Sequence, residues 1–521
     1  MSDTSQLHIE GDIDSGLPEG WTIAKLGNLC THPQYGWTTS ANKNGTALKL
    51  LRTTDISGGT VNWSTVPACN QPPDDSQKYL LAPGDILVSR AGSVGLSYLV
   101  KECPEAIFAS YLIRFRPKTP LESEFIALFL KSPQYWAAIA EEAAGIAIPN
   151  VNASKLKDLE VPLPPLPEQR RIVSKVEELL ERVNATKERL TRVSMIMKRF
   201  RQAVLAAACS GRLTANWRAT KVDIEPADQL VERIFSKRQQ EYTADCKTAK
   251  AEGRKPPKKP NNLEPRRVET AGLPEIPDEW SWVYLPDLGY MNRGKSKHRP
   301  RNAPHLFGGP YPIIQTGDIA QSGGRITSHR QTYSETGLAQ SHLWPSGTVC
   351  ITIAANIANS AILTYPACFP DSIVGLAPDE ALCIKEYVEF FTRTARSNLD
   401  QFAPATAQKN INIEILSDVA VPLPPLAEQK EIVHRVEAMF KLADVVEKRV
   451  ETTKVRAENL TQAILAKAFR GELVPTEAEL ARRDGQSYET ASELLARIKS
   501  ERVSKGVMEK RCYNKTYKGD S

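Results

Sequence analysis

The stretch VPLPPLPEQRRIV at 161–173 returns as VPLPPLAEQKEIV at 421–433, 260 residues later. The same interval carries AVLAAACSGRL, from Ala203, onto AILAKAFRGEL, from Ala463, and Asn150-Val-Asn152 onto Asn410-Ile-Asn412. Several landmarks at one interval, with no insertion between them, identify an internal duplication. Fainter echoes fill the rest. LPEGW (17–21) faces IPDEW (276–280), and RTTDIS (52–57) faces QTGDIA (315–320). GDILVSRAGSVG (84–95) faces GTVCITIAANIA (347–358), and DQLVERIFSKR (228–238) faces SELLARIKSER (492–502). The chain is two copies of one plan: a variable lobe, a well-matched helix and a short tail.

After the first PLPPL element the apolar residues fall at Ile172, Val176, Leu179, Val183, Leu190, Val193, Met197, Phe200 and Val204, with Thr186 in the one gap. The second copy gives Ile432, Val436, Met439, Ala443, Val446, Val450, Thr453, Ala457, Leu460 and Ile464. Steps alternating between four and three are a heptad seam. The prolines hold the chain extended before each helix, and Pro167 suits a first helical turn. Glu168 and Glu428 then lie near the positive end of the helix dipole. Gly211 and Gly471 are the stops. The two stripes are expected to zip together antiparallel, one lobe at each end, about a pseudo-two-fold axis.

The lobes read as mixed α/β. Short β-type runs (KLLRTTDI, GDILVSR, LIRFRP; YPIIQTGDI, TVCITI, AILTYP) alternate with Gly and Pro turns. One helical stretch follows in each, at 125–144 and 387–402. The fold class expected is α+β: two mixed α/β domains separated by two long antiparallel coiled-coil helices, with a pseudo-two-fold internal repeat. The boundaries are 1–160 (first lobe), 161–211 (first helix), 212–275 (linker with a short helix), 276–420 (second lobe), 421–471 (second helix) and 472–521 (tail with a short helix).

An apolar content of 41% supports real cores, and a net charge of +6 permits a polyanionic partner without requiring one. The nine cysteines include no C-x-x-C pair, so reduced, buried thiols are expected rather than zinc ligands or a disulfide framework. No apolar run reaches the roughly 18 residues of a membrane span. The polar, acidic start MSDTSQLHIEGDID is no signal peptide. A cytoplasmic protein without membrane contact is the expectation.

Candidates for contact with nucleic acid sit in Gly-containing loops. The first lobe offers Tyr35, Trp37, Thr38, Lys43, Arg52, Arg90 and Ser93. The second offers RGKSKHRPR, with Arg293, Lys295, Lys297, Arg299 and Arg301, together with Gln315 and Asn356. Guanidinium and ammonium groups neutralise phosphate, while Arg, Asn and Gln present paired hydrogen bonds to base edges. The linker at 252–270, polar and Pro-rich, reads as an exposed connector with some attraction to DNA.

GYMNRGKS (289–296) also fits the phosphate-binding pattern G-x-x-x-x-G-K-[ST]. That pattern requires a strand before it and a helix after it. Pro300 and Pro304 oppose the helix, and the first lobe has only a Gly-containing loop, THPQYGWTTS, in the corresponding place. A basic loop facing phosphate suits the residues better.

The repeated PLPPL-x-EQ element, KRFRQAVLAAACSGRLT-x-x-W at 198–217, NLTQAILAKAFRGEL at 459–473, the openings LPEGW and IPDEW, and the GDIL-x-SR-x-G element of the first lobe carry a resemblance. The chain resembles the DNA specificity subunit of a type I restriction–modification system along nearly its whole length. The resemblance implies that each lobe reads one half of a split, asymmetric target in double-stranded DNA, and that the helices set the unread gap. It also implies two methyltransferase subunits docked on the helices and two motor/nuclease subunits joining for restriction. S-adenosylmethionine, ATP and Mg would sit on those partners, with no cofactor in this chain. The second lobe departs from the pattern: Thr352-Ile353-Ala354-Ala355 stands where the first has Ser89-Arg90-Ala91-Gly92, leaving Asn356 and Asn359 as polar candidates.

The chain contains no N-P-P-[FY] segment, no F-x-G-x-G loop and no H-E-x-x-H. The expectation is a non-catalytic subunit that positions DNA for partners. Two other readings differ in class: a nucleotide-driven enzyme using Gly294, Lys295 and Ser296, and a coiled-coil scaffold without DNA contact.

Overall fold

The computed structural model describes residues 16–500 except 44, 46–47, 92, 144–150, 222, 261, 354–358 and 396–411. Two compact units emerge, Met1–Thr191 with Glu451–Ser521, and Arg192–Val450. The long helices run Leu166–Cys209 and Leu426–Ala468. Each unit therefore holds one lobe, the first part of the helix that follows that lobe, and the last part of the other helix.

Within the first unit, Ile172, Val176 and Val183 share one core with Ala457, Ile464, Leu465 and Ala468. Within the second, Val204, Leu205 and Ala208 share a core with Ile432 and Val436. In both, the start of one helix packs on the end of the other, so the pairing is antiparallel as the seams predict. Arg201 adds ion pairs to Asp444 (2.6 Å) and Glu447 (2.9 Å), its guanidinium 4.9 Å from the Phe440 ring centroid.

The seam is less regular than a strict heptad. Thr186 is exposed and donates its hydroxyl back to the Arg182 carbonyl (2.9 Å). Leu460 is 51% exposed, while Thr461, one position on, is half-buried. A straight helix turns every 3.6 residues rather than 3.5, so the buried stripe drifts off a fixed heptad register.

Each lobe is zipped shut at its base by a two-stranded antiparallel ribbon. Thr22–Lys25 pairs with Glu160–Leu163, and Ser281–Tyr284 pairs with Ala420–Leu423. The first lobe carries two four-stranded sheets. One is ordered Gln34–Tyr35, Leu112–Phe115, Ile86–Ser89, Ser97–Leu99; the other Ala41–Asn42, Ala68–Cys69, Lys49–Leu51, Ala106–Phe108. The second lobe has a five-stranded sheet, Gly289–Arg293, Ile373–Pro378, Val349–Thr352, Ser360–Leu363 and Arg325–Ile326, and a pair, Phe307–Ile313 with Gln331–Tyr333.

Three local readings change. RTTDI and QTGDI are not strand but the short helices Thr53–Ile56 and Thr316–Gln321. In each an aspartate three residues on accepts the backbone N–H of the preceding residue: Asp55 from Arg52 (2.8 Å) and Asp318 from Gln315 (2.9 Å). The stretch at 125–144 is two helices, Ser123–Phe129 and Pro133–Ala143, because Pro133 cannot donate within a continuing helix. The repeated Asn-x-Asn explains itself through its second asparagine. Asn152 and Asn412 cap the helices Ala153–Asp158 and Ile413–Ser417, each side chain accepting from the N–H three residues on at 2.9 Å.

The repeated Glu-Gln is the joint of each unit. Gln169 donates to the Pro164 carbonyl (2.9 Å) and accepts the Glu122 N–H (3.4 Å). Gln429 donates to Pro424 (2.9 Å) and Leu382 (3.1 Å) and accepts the Ile384 N–H (2.8 Å). Each glutamine thus ties the helix start to the lobe it follows. The glutamates are fully buried. Glu168 accepts the Trp21 indole N–H and the Glu477 N–H, both at 2.9 Å. Glu428 accepts the Trp280 indole (2.9 Å), the Thr214 hydroxyl (2.6 Å) and the Arg218 guanidinium (2.7 and 3.2 Å). Gly471 and Gly211 turn the chain with φ of +74° and +73°, and a Cβ there would lie 2.3 Å from Pro18 and 2.5 Å from Pro277. The repeated openings LPEGW and IPDEW therefore pack on the end of the other long helix.

Glu428 receives donors on both oxygens, so truncation strands an indole, a hydroxyl and a guanidinium in the interior. Glu428→Ala is expected to lose roughly 3–5 kcal/mol in urea unfolding. Glu428→Gln is expected to cost more than Glu168→Gln, since it also removes the charge that the Arg218 guanidinium pairs with. Burial raises the Glu168 pKa above its ordinary value, against the opposing Glu477 N–H, Trp21 and Arg171. The folded chain then holds this proton to higher pH than the unfolded chain does. This group's contribution to stability should fall as pH rises from the ordinary glutamate range to the raised value, and Glu168→Gln should remove that slope.

Candidate nucleic-acid interface

In the first lobe the tight turn at Phe108–Tyr111 gathers most of the candidates. Trp37 N–H donates to the Phe108 carbonyl (2.8 Å), and Ser110 N–H returns to Trp37 (3.0 Å). Ala109 N–H donates to Leu51, beside Arg52 (2.9 Å), and Arg90 N–H donates to Tyr111 (2.9 Å). The Arg90 guanidinium lies 4.9 Å from the Tyr35 ring centroid, and its Nε is buried without a hydrogen-bond partner. Tyr35 is held in place by accepting the Ala153 N–H on its hydroxyl (3.0 Å). The Trp37 indole donates to the Gln71 carbonyl (2.8 Å).

Not every candidate is available to a ligand. Arg52 forks onto Asp55 (2.8 and 3.0 Å), so its charge is committed to the helix it precedes. Ser93 is exposed and its carbonyl accepts the Ser89 hydroxyl, which shapes the loop after Arg90. Thr38 and Lys43 are exposed, Lys43 on the turn after Ala41–Asn42, away from the gathering turn in sequence. Tyr111, 60% exposed at the tip of that turn, is the residue the sequence reading missed. It sits inside the apolar run YLIRF, which reads as plain strand.

The second lobe gathers its candidates on the matching turn, Phe369–Ser372. Ile353 N–H donates to Ser372 (3.0 Å), the counterpart of Arg90 to Tyr111. Ile314 N–H, beside Gln315, donates to Cys368 (2.9 Å). Gly294 N–H donates to Ile373 (2.9 Å), as Gly36 does to Leu112 (3.1 Å). A Cβ on Gly36 would meet the Phe108 and Ala109 carbonyl oxygens at 2.3 Å; one on Gly294 would meet those of Phe369 and Pro370 at 2.3 and 2.4 Å. The glycine of GYMNRGKS is thus the same backbone crossing as Gly36.

This geometry leaves no phosphate cradle. Gly289–Arg293 is strand, the Gly294 N–H is spent on the sheet, and the His298 N–H is spent on Gln340 (3.0 Å). The next described helical turn is the single 3-10 turn Pro304–Leu306. The basic residues divide by role. Arg293 forks onto the Asp371 carbonyl (3.0 and 2.7 Å), and Arg301 pairs with the Asp371 carboxylate (2.9 and 2.8 Å). Arg299 turns back onto the Ser296 and His298 carbonyls (2.7 and 2.8 Å). Lys295 and Lys297 are exposed, and neither makes a side-chain hydrogen bond or ion pair among the described residues. Burial, with the nearby Lys295 ammonium adding to it, lowers the His342 pKa below the ordinary histidine value. Gln315 is exposed. Asn356 lies outside the described residues. Among the described residues no group of His, Cys, Asp and Glu is arranged to hold a metal, and no helix is long and apolar enough to cross a membrane.

The chain is thus a doubled lobe, each copy seated on the start of one long helix and the end of the other. The family profile described as type I restriction modification DNA specificity domain matches twice, over residues 18–194 and 277–453. The chain belongs to that family. It is 30% identical over 512 residues to the type I restriction enzyme EcoKI specificity subunit of Escherichia coli strain K12, covering 94% of this chain and 97% of that one. It is 32% identical over 379 residues to the EcoDI specificity subunit of Escherichia coli, covering 71% and 74%. A solved chain, from work on complex assembly and conformational transition of the type I R-M system, matches with TM-score 0.57 at 21% identity, covering 88% of this chain and 99% of that one. That last likeness is one of fold.

The glycine crossing is directly testable. Gly36→Ala and Gly294→Ala each force a methyl group onto two backbone carbonyls and should destabilise the chain by roughly 1–3 kcal/mol in thermal or urea unfolding. Gly317→Ala, where a Cβ meets nothing within 4 Å, should change stability little.

Proposed function

We propose that the chain is the sequence-reading subunit of a type I restriction–modification complex, with each lobe reading one half of a bipartite, asymmetric duplex target. Adenine methylation and cleavage belong to two methyltransferase and two motor/nuclease partners, which carry S-adenosylmethionine, ATP and Mg. The observation that carries the reading is the matching of the two lobes. The turns at 108–111 and 369–372 occupy one place in the fold yet present different chemistry, as two readers of unlike half-sites require. In the first lobe Arg90, Tyr35 and Tyr111 offer a guanidinium and aromatic faces. In the second, Lys295 and Lys297 offer point charges for phosphate and Gln315 a bidentate amide for a base edge. Arg52, Arg293, Arg299 and Arg301 hold their loops in shape.

Mapping methylated adenines in DNA from cells carrying the complex tests this reading. Replacing residues 276–420 with the second lobe of another family member should change one half of the modified sequence and leave the other half and the gap intact. A change in both halves, or in neither, would contradict it. Lys295→Ala should weaken binding by a similar factor on all duplexes and lower the salt slope by about one. Nucleotide binding by the purified chain that is abolished in Lys295→Ala would instead favour an enzyme.

A further inference from the structure

The net charge of the chain is concentrated in one place. Residues 236–267 contain ten Lys/Arg and four Asp/Glu, a formal +6, and the whole chain is also +6. The rest of the molecule balances.

That segment is a built hairpin rather than a slack linker. The helix Ala227–Ala251 docks on the second unit through Ala227, Leu230, Val231, Ile234 and Phe235. Beyond Phe235 its side chains are exposed or half-buried, apart from Ala249. The chain turns at Gly253 (φ +66°), where Arg254 N–H donates to Ala249 (2.8 Å), and then runs back along the helix. The Tyr242 hydroxyl donates to the Pro257 carbonyl (3.2 Å). Further on, Leu263 is buried, and Arg266 pairs with Asp418 (3.2 Å) while lying 4.2 Å from the Tyr284 ring centroid. The returning segment RKPPKKP, which is irregular, is stiffened by its prolines.

Five of the ten cations are paired: Lys237, Arg238, Arg254, Lys259 and Arg266. Lys247, Lys250, Lys255, Lys258 and Arg267 are exposed and have no ion pair or side-chain hydrogen bond among the described residues. Lys247 and Lys250 are three apart on the helix and share a face. Lys255 and Lys258 lie on the strap that folds back beside it.

We propose that this helix–strap hairpin is a second DNA contact of the subunit, gripping duplex phosphate without reading sequence. The chemistry favours a polyanion over a protein. Protein interfaces are anchored by buried aromatic, Met or Arg side chains, whereas Lys is depleted from them. Here the exposed ridge from 247 to 260 carries lysines and prolines and no aromatic or large aliphatic side chain. Its free groups are point charges on flexible stems, suited to releasing counterions from phosphate and unable to discriminate bases. The proposal adds to the reading of the lobes and rests on duplex DNA being their ligand.

The test uses the full-length chain, alone or purified with its methyltransferase partners, and two duplexes, one with and one without the methylated target. The variant changes Lys247, Lys250, Lys255 and Lys258 together to Gln, with the fourfold Lys→Arg variant as charge-retaining control. The expected result is an equal loss on both duplexes, roughly 10²–10³-fold near physiological salt, with the slope of log affinity against log salt reduced by about three to four and the methylated sequence unchanged. The Arg variant should behave as wild type. An unchanged slope with wild-type affinity would overturn the hairpin proposal while leaving the lobes as readers. Loss of partner co-purification with DNA affinity intact would also overturn it, marking an acidic protein as the ligand. Failure of the wild-type chain to bind either duplex would overturn the reading of the lobes as well.

Discussion

A single buried carboxylate dictates how the chain must run. Glu428 opens the second long helix and accepts hydrogen bonds from Trp280, at the start of its own lobe, and from Thr214 and Arg218, which follow the end of the other long helix. A carboxylate out of water costs several kcal/mol unless such donors surround it. The donors converge only where the beginning of one helix lies against the end of the other. Glu168 imposes the same condition in the first unit through Trp21 and Glu477. Antiparallel helices are therefore required by polar chemistry at the helix starts, and the apolar stripes between them reinforce a direction already chosen. Each unit includes the far end of the other repeat's long helix: the first joins Met1–Thr191 to Glu451–Ser521, and the second is the continuous stretch Arg192–Val450.

The joint also separates what is constant from what varies. The Glu-Gln pair, the proline run, the tryptophan and the turning glycine hold the base of each lobe to backbone atoms and to one another. The lobe above the ribbon is free to differ. In the first, Ser110-Tyr111 leaves an exposed phenol beside Arg90; in the second, Asp371-Ser372 occupies the same turn and binds two arginines. A common backbone crossing, at Gly36 and Gly294, supports both.

Much of this was legible in the sequence. The interval of 260 residues exposed the duplication, and the four-three spacing exposed the helices and their pairing. What escaped was tertiary. Glu168 and Glu428 read as dipole-favourable residues at a helix start, because nothing local shows that a tryptophan about 150 residues away buries them. RTTDI looked like strand because threonine and isoleucine favour strands, while its aspartate instead captures a backbone N–H and starts a helical turn. Periodicity places Leu460 on the seam, but helix drift turns it to solvent. Among the site residues, the sequence found the basic loop but could not sort it. Asp371 holds Arg293 and Arg301, the Ser296 and His298 carbonyls hold Arg299, and the lysines are left facing outward. The phosphate-loop pattern, which Pro300 and Pro304 already oppose in the sequence, has a structural origin: Gly294 lets two backbones cross.

Cysteine cross-linking across the helix pair is the most direct test of the antiparallel arrangement. In a chain cleared of its native cysteines, Arg201→Cys should join Asp444→Cys, the residue whose carboxylate lies 2.6 Å from the Arg201 guanidinium. It should not join Thr461→Cys, the repeat equivalent that a parallel, in-register pair would set opposite it. Rapid linkage of 201 to 444 within one chain, with none to 461, is the predicted result. Preferential linkage of 201 to 461 would contradict it.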